Sequence, residues 1–212
     1  MSVKKEKNGV NFIILVVAIS IGYAILRYQI KGDVPWKDLP VFILNKGISL
    51  AAITLLSLCI SIRPLSNLGV QLFSSRQAKK VLGISGLLLT IAHVLLSFLI
   101  FNPSYFSVFF EEDGTLSSKG SLSLLAGVVG FMLVIIYHHC FGGVRAGKEK
   151  LIKIVTSKKF ILGLLLLFGL HLFFMGYSNW MLPSNWQGGL PPISLISFVV
   201  VFLGLGINIS GR

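Results

Sequence analysis

Six apolar runs, each long enough to cross a lipid bilayer, constrain what this chain can fold into. A spanning helix needs roughly 17 to 25 mostly apolar residues, because the hydrocarbon core is about 30 Å thick and offers no water to backbone polar groups. The runs leave no connection long enough for a second domain. We therefore predict an all-α, polytopic membrane protein, one six-helix bundle over residues 1–212 with spans at 10–28, 41–62, 81–101, 121–141, 160–177 and 193–209.

Composition also favours a membrane protein and excludes several function classes. Charged residues make up 12% of the chain, about half the share in soluble domains. The six runs contain no Asp or Glu, which argues against a proton-coupled carrier or pump, since these usually need a buried carboxylate. The sequence carries no nucleophile motif, Gly-rich nucleotide loop or carboxylate pair.

Lysine and arginine are distributed unevenly over the connections. Fourteen of the 19 lie on the side of the N-terminus and five on the other side. The positive-inside rule therefore predicts a multi-pass cell-membrane protein with both termini in the cytoplasm. Contact with anionic lipid headgroups explains the net charge of +12 without a nucleic-acid partner. The first run is too long for a signal peptide and lacks a cleavage site, so we predict that it is the first helix.

The third predicted helix carries a histidine at membrane depth. Gly83, Gly86, Thr90, His93 and Ser97 fall on one seam at helical spacing, and all of them are small or polar. Such a seam faces a neighbouring helix or a flat ligand between helices, because large apolar side chains suit a lipid-facing surface better. An ionisable residue inside the membrane is a functional candidate.

The fifth predicted helix also carries a histidine, His171, at nearly the same predicted depth in the membrane as His93. Both helices run from inside to outside, and the two histidines lie about 18 and 16 Å along them. Neutral imidazoles at matched depth on parallel helices suit the two faces of a haem iron. The alternative is that His93 and His171 each hydrogen-bond a neighbouring helix and bind nothing.

His138 and His139 form a second candidate site, on the cytoplasmic side. They end the fourth predicted helix, near the same surface as Arg76 and Lys80. One interpretation is a solvated pair that contacts lipid headgroups. The other is a role beside a cofactor's phosphate, a quinone or a flavin.

These features together resemble the ferric reductase-like transmembrane domain family. The resemblance rests on six helices with both termini inside, histidines on the third and fifth, and Arg76, Lys80 and Gly83 ahead of Thr90-Ile-Ala-His93. It covers roughly residues 41–209 with short motifs. The family includes ferric-chelate reductases, the membrane part of NADPH oxidases, and the bacterial haem subunit that reduces a periplasmic methionine sulfoxide reductase.

The resemblance implies haem b between the third and fifth helices, with His93 and His171 as axial ligands and electrons passed towards the outer face. The family often has a second, inner histidine pair, but here those positions are lysine, near Lys79 or Lys80 and at Lys158. One haem is therefore expected. The residues expected to line it are Gly83, Gly86, Thr90 and Ser97.

The resemblance also bears on partners. No flavin or nicotinamide domain follows the sixth helix, so the implied electron donor is a quinol or a separate flavoprotein. The basic residues 76–80 and 153–159 are the expected docking site, and the outer-face acceptor is unidentified. The competing hypothesis is a haem-free scaffold or anchor subunit of a larger complex, in which the small-residue seams only pack against helices.

Overall fold

The computed structural model of the protein is helical and describes residues 2–72, 76–141 and 147–211, with side chains from residue 9 onward except at positions 76 and 141. Six of its helices are long and apolar enough to cross a membrane. Within the described ranges the β-structure is limited to one isolated bridge, between Phe110 and Leu116. The predicted all-α class with six possible spans is confirmed.

Seven α-helices make up most of the structure: α1 (Ser2–Ile25), α2 (Leu44–Asn67), α3 (Arg76–Leu99), α4 (Ser118–Phe141), α5 (Glu149–Val155), α6 (Lys158–Trp180) and α7 (Ile193–Ser210). Two π-helical segments, Leu26–Ile30 and Leu39–Ile43, extend α1 and lead into α2. Short 3-10 turns occur at Trp36–Asp38, Ser107–Phe109, Pro183–Asn185 and Gln187–Gly189.

The predicted spans differ from these helices mainly at their ends. The sequence predicted that the second helix stops at residue 62, ahead of Arg63-Pro64, but α2 continues through Pro64 to Asn67. A proline removes one backbone donor, and one turn of helix can still follow it. The short helix α5 was not predicted, because seven residues with two lysines are far below spanning length.

Five of the long helices surround a central space. They pack in the order α3, α2, α7, α6 and α4, while α1 lies outside this ring against α2 and α3. α3 and α4 contact each other only sparsely, and α3 and α6 face each other across the space. The helices that carry His93 and His171 are therefore separated by the central space instead of packing together.

Close packing and polar contacts hold the ring together, since lipid tails are as apolar as the side chains and give no hydrophobic driving force between helices. Leu56, Leu165, Phe168 and Val201 form the centre of the main apolar cluster. The buried Asn208 amide of α7 donates hydrogen bonds to the side chain of Ser61 on α2, at 2.9 Å, and to a backbone carbonyl of its own helix. Interhelical bonds of this kind contribute on average about 0.6 kcal/mol each in a membrane.

The two ends of the bundle differ in composition. We call the end with residues 100–117 and 181–192 the aromatic end, and the end with residues 76–80 and 147–159 the basic end. At the aromatic end, Phe106 and Phe109 stack with ring centroids 5.7 Å apart. The Tyr105 hydroxyl donates a 2.8 Å hydrogen bond to Asp38 Oδ1. The segment 101–109 thus folds over the central space.

Candidate functional site

A cavity of about 680 Å³ occupies the central space in the half of the bundle nearer the aromatic end. Helices α2, α3, α4, α6 and α7 form its walls, and residues 105–109 line it from the aromatic end. Most of the wall is apolar, with Leu56, Phe131, Phe168 and Leu172 among its members. Sites for cofactors and other small molecules have volumes of about 300 to 1,000 Å³ and mainly apolar walls, so this cavity has the size and lining of a ligand site.

His93 and His171 both line this cavity, from opposite sides. His93 lies six residues before the end of α3 and His171 nine before the end of α6, which corresponds to about 9 and 14 Å along the helices. The structure thus brings the two predicted residues to one site, in the half nearer the aromatic end.

The His93 imidazole is held by an amide of α2. Its Nδ1 lies 2.6 Å from Oδ1 of Asn45, whose Nδ2 donates a 3.0 Å hydrogen bond to Ser97 Oγ. Because an amide oxygen can only accept, Nδ1 carries the proton and the lone pair of the neutral ring is on Nε2. Asn45 is only 2% exposed.

The His171 imidazole is held by the backbone of α4. Its Nδ1 lies 2.9 Å from the main-chain oxygen of Ser123, so Nδ1–H is again the donor. The Ser123 hydroxyl donates to the main-chain oxygen of His171 at 2.8 Å. Gly127 gives the ring its room, since a methyl group there would lie 2.8 Å from His171 Nδ1.

Nε2 is in the same state in both histidines: it carries the lone pair of the neutral ring and no proton. No described residue forms a hydrogen bond with Nε2 of His93 or of His171, and both rings line the cavity. An imidazole whose Nδ1–H donates to an oxygen and whose Nε2 is open is the usual arrangement of a metal-ligating histidine. The described part of the chain has no group of three or more His, Cys, Asp or Glu that could hold a bare metal ion. Two imidazoles therefore suit a metal that brings most of its own ligands.

The seam predicted on α3 divides into two parts. Thr90, His93 and Ser97 line the cavity, together with Val94 and Phe98 of the same helix. Gly83 and Gly86 do not line it, and a methyl at Gly86 would lie 2.8 Å from a leucine side chain of α2. The expectation that these two glycines line a haem is corrected: they let α3 approach α2 towards the basic end.

His138 and His139 do not form one site. His138 is half-buried, and its Nε2 would lie 3.6 Å from a methyl group at Gly83. His139 is exposed. The two side chains have different surroundings because consecutive helical positions point about 100° apart. Lys80 is exposed, and the side chain of Arg76 lies outside the described residues.

Two cations at the aromatic end of the cavity were not selected from the sequence. Arg27 is 5% exposed and donates hydrogen bonds to Leu190 O at 3.1 Å and to Gln187 Oε1 at 3.2 Å. The Lys46 ammonium lies 5.1 Å from the ring centroids of two phenylalanines. Neither cation forms an ion pair with a carboxylate in the described ranges. A buried cation is stabilised by a nearby anion, so this end of the cavity suits a negatively charged group.

One sequence signal pointed to Lys46 and to Asn45, the residue that contacts His93. Asn45-Lys46 is a polar pair inside the apolar run 41–62, and polar residues inside a span usually face the interior of the bundle. Ser123 contacts His171 through both its backbone oxygen and its hydroxyl, which lies 3.1 Å from His171 Nδ1, and it was not selected from the sequence.

The cavity reaches the lipid-facing surface between α3 and α4. Phe98, Val128 and Met132 line it and are also exposed. These two helices contact each other only sparsely. An apolar molecule in the bilayer can therefore approach the site from the side.

No protein-family model and no curated protein matches this chain.

Proposed function

We propose that this protein is a membrane b-type cytochrome of ferric reductase-like type, with one haem b in the cavity and the Nε2 atoms of His93 and His171 as axial ligands. The observation that carries the proposal is the pair of imidazoles on opposite walls of one cavity, each with Nδ1–H held by an oxygen. Bound haem supplies a one-electron carrier. The chain supplies the two ligands, the apolar enclosure and the orientation.

The residues present fit a haem in three respects. The porphyrin brings four nitrogen ligands, so two protein imidazoles complete the coordination of its iron. The walls are apolar, as a flat macrocycle requires, and the volume is within the range of cofactor sites. Arg27 and Lys46 at the aromatic end suit the two propionate carboxylates of haem b.

The positive-inside count orients the site. With both termini in the cytoplasm, the aromatic end lies at the outer face of the cell membrane and the basic end at the inner face. The histidines lie in the outer half, so electrons leave towards an acceptor at the outer face. This orientation follows from charge distribution alone.

Of the two donor classes, the structure favours a quinol. His93 lies 17 residues from the start of α3, about 26 Å from the basic end, which is a long way from any flavoprotein docked on the exposed Lys80, Lys153, Lys158 and Lys159. A quinol dissolves in the bilayer and can reach the site through the opening between α3 and α4. A separate flavoprotein is the second candidate, supported by those lysines.

The absorption spectrum of the purified protein tests the proposal. After expression with added haem precursor, we expect a Soret band and a haem-to-polypeptide ratio near one. His93→Ala and His171→Ala should each lose most of the haem, while His139→Ala, at an exposed position, should keep it. NADPH alone should not reduce the pure protein, whereas NADPH with a flavin reductase, or a quinol, should.

Two results of these measurements would contradict the proposal. A His93→Ala or His171→Ala variant with a full low-spin spectrum would overturn the ligand assignment. A folded, colourless protein with full haem supply would favour the haem-free scaffold.

A further inference from the structure

The two histidines of the site differ in what holds them. His171 Nδ1 donates to a main-chain oxygen, that of Ser123 at 2.9 Å. His93 Nδ1 donates to a side-chain amide, Oδ1 of Asn45 at 2.6 Å. A main-chain oxygen is present whatever residue stands at position 123, whereas the acceptor for His93 depends on the identity of residue 45.

We propose that Asn45 is a positioning residue for the iron site: it holds His93 in the Nδ1–H tautomer, presents Nε2 to the cavity and thereby sets the reduction potential of the bound iron. This inference rests on the proposed function, because it concerns the same haem. It adds a residue that is not itself a ligand of the iron and acts through His93.

The amide of Asn45 contacts α3 through both of its polar atoms. Its Nδ2 donates to Ser97 Oγ at 3.0 Å, and Ser97 lies one helical turn beyond His93 on α3. The amide therefore bridges two residues of a neighbouring helix, in a position that is 2% exposed. With the reverse orientation, the amide N–H groups would face His93 Nδ1 and the proton would move to Nε2, which could not then bind a metal.

The acceptor on Nδ1–H also controls how strongly Nε2 donates to iron. An oxygen that accepts this hydrogen bond raises the basicity of the ligand, and removal of such a partner typically costs 10- to 100-fold in metal affinity. A carboxylate accepts more strongly than an amide. A more basic imidazole favours the ferric over the ferrous state, so Asn45→Asp should lower the potential and Asn45→Leu should raise it.

Three variants separate the hydrogen bond from other effects. Asn45→Leu removes the acceptor, and we expect 10- to 100-fold weaker haem binding when haem is titrated into apo-protein. Asn45→Asp keeps the shape and strengthens the acceptor, and we expect at least a tenfold shift in the ferric-to-ferrous ratio, which is 59 mV for one electron. Asn179→Asp is the control for an added charge, because Asn179 lines the same cavity and its side chain does not bond either histidine, although it is exposed where Asn45 is buried.

A haem-free measurement tests the hydrogen bond by itself. The chain has four histidines, so nitrogen NMR of ¹⁵N-histidine-labelled apo-protein in lipid gives few signals, and His93→Ala identifies the one from His93. We expect the Nδ1–H tautomer in the wild type and a shift towards Nε2–H in Asn45→Leu.

The outcomes distinguish the two proposals. If the wild type binds haem but Asn45→Leu leaves both the tautomer and the affinity unchanged, this inference is wrong and the proposed function stands. The same holds if Asn45→Asp shifts the potential no more than Asn179→Asp does. If the wild type binds no haem with full supply, the proposed function itself is overturned.

Discussion

Replacing Gly127 by alanine tests whether His171 is held where an iron ligand must be. A methyl group at Gly127 would lie 2.8 Å from His171 Nδ1 and 3.1 Å from Cε1, whereas ordinary contacts begin at 3.4 Å. The ring must therefore withdraw from α4 by roughly 0.6 Å. Its hydrogen bond to the Ser123 oxygen, now 2.9 Å, would lengthen to as much as about 3.5 Å, where little of it remains.

The cost falls mainly on the haem-bound state. A free imidazole can turn into the cavity to avoid the methyl group, but a ligated imidazole must keep its direction. Crowding of this kind costs about 1 to 3 kcal/mol, and the lost hydrogen bond adds about 1 kcal/mol. Since 1.4 kcal/mol is a factor of ten, a total of about 2 to 4 kcal/mol weakens haem binding roughly 30- to 700-fold.

Haem titration into apo-protein, followed at the Soret band, measures this effect. Gly163→Ala is the control: it makes the same change on α6, where nothing lies within 4 Å of the new methyl group, and alanine is the better helix former by about 1 kcal/mol. We expect wild-type haem affinity for this control. A Gly127→Ala protein with wild-type affinity and a low-spin spectrum would refute the assignment of His171.

Three further predictions concern the ends of the bundle. Reporters inserted near Gly114 and Gly188 should be active outside the cell, and one fused to the C-terminus only in the cytoplasm. Lys46→Met should bind haem more weakly than the wild type but bind haem dimethyl ester, which lacks propionate charges, about equally well. Tyr105→Phe should speed hydrogen exchange in residues 101–109. The hydrogen bond to Asp38 raises the pKa of Tyr105 above its ordinary value of 10.0, so in the wild type this bond stabilises the loop below about pH 10 and is lost as pH rises through the raised pKa.

Each of these predictions has a contrary result. An externally active C-terminal reporter would invert the orientation and place the histidines nearer the cytoplasm. If the wild type and Lys46→Met preferred haem over its dimethyl ester by the same factor, the assignment of Lys46 to a propionate would be wrong. If exchange in residues 101–109 were the same in Tyr105→Phe and in the wild type below pH 10, the hydrogen bond to Asp38 would not be what holds the loop.

The sequence by itself determined the helices and the most reactive side chains. Bilayer thickness sets the length of a spanning helix, and helical hydrogen bonds are local, so six apolar runs were enough to predict six possible spans. The depth of a residue follows from its position in a run, which is why His93 and His171 were selected as a pair before their surroundings were known. Counted to the ends of α3 and α6 at the aromatic end, the two histidines lie about 9 and 14 Å along their helices.

Only the tertiary structure decided which polar groups meet. Asn45 lies 48 residues from His93, and Ser123 lies 48 residues from His171. Their contacts depend on how α2 packs against α3 and α4 against α6, and side-chain spacing along one helix carries no information about that. The same cause explains the two glycines of the α3 seam. Gly83 and Gly86 share a face with His93, but α2 packs against that face at the basic end, and the seam lines the cavity only from Thr90 onward. A seam specifies a direction around one helix, whereas the occupant of that direction is set by the neighbouring helices.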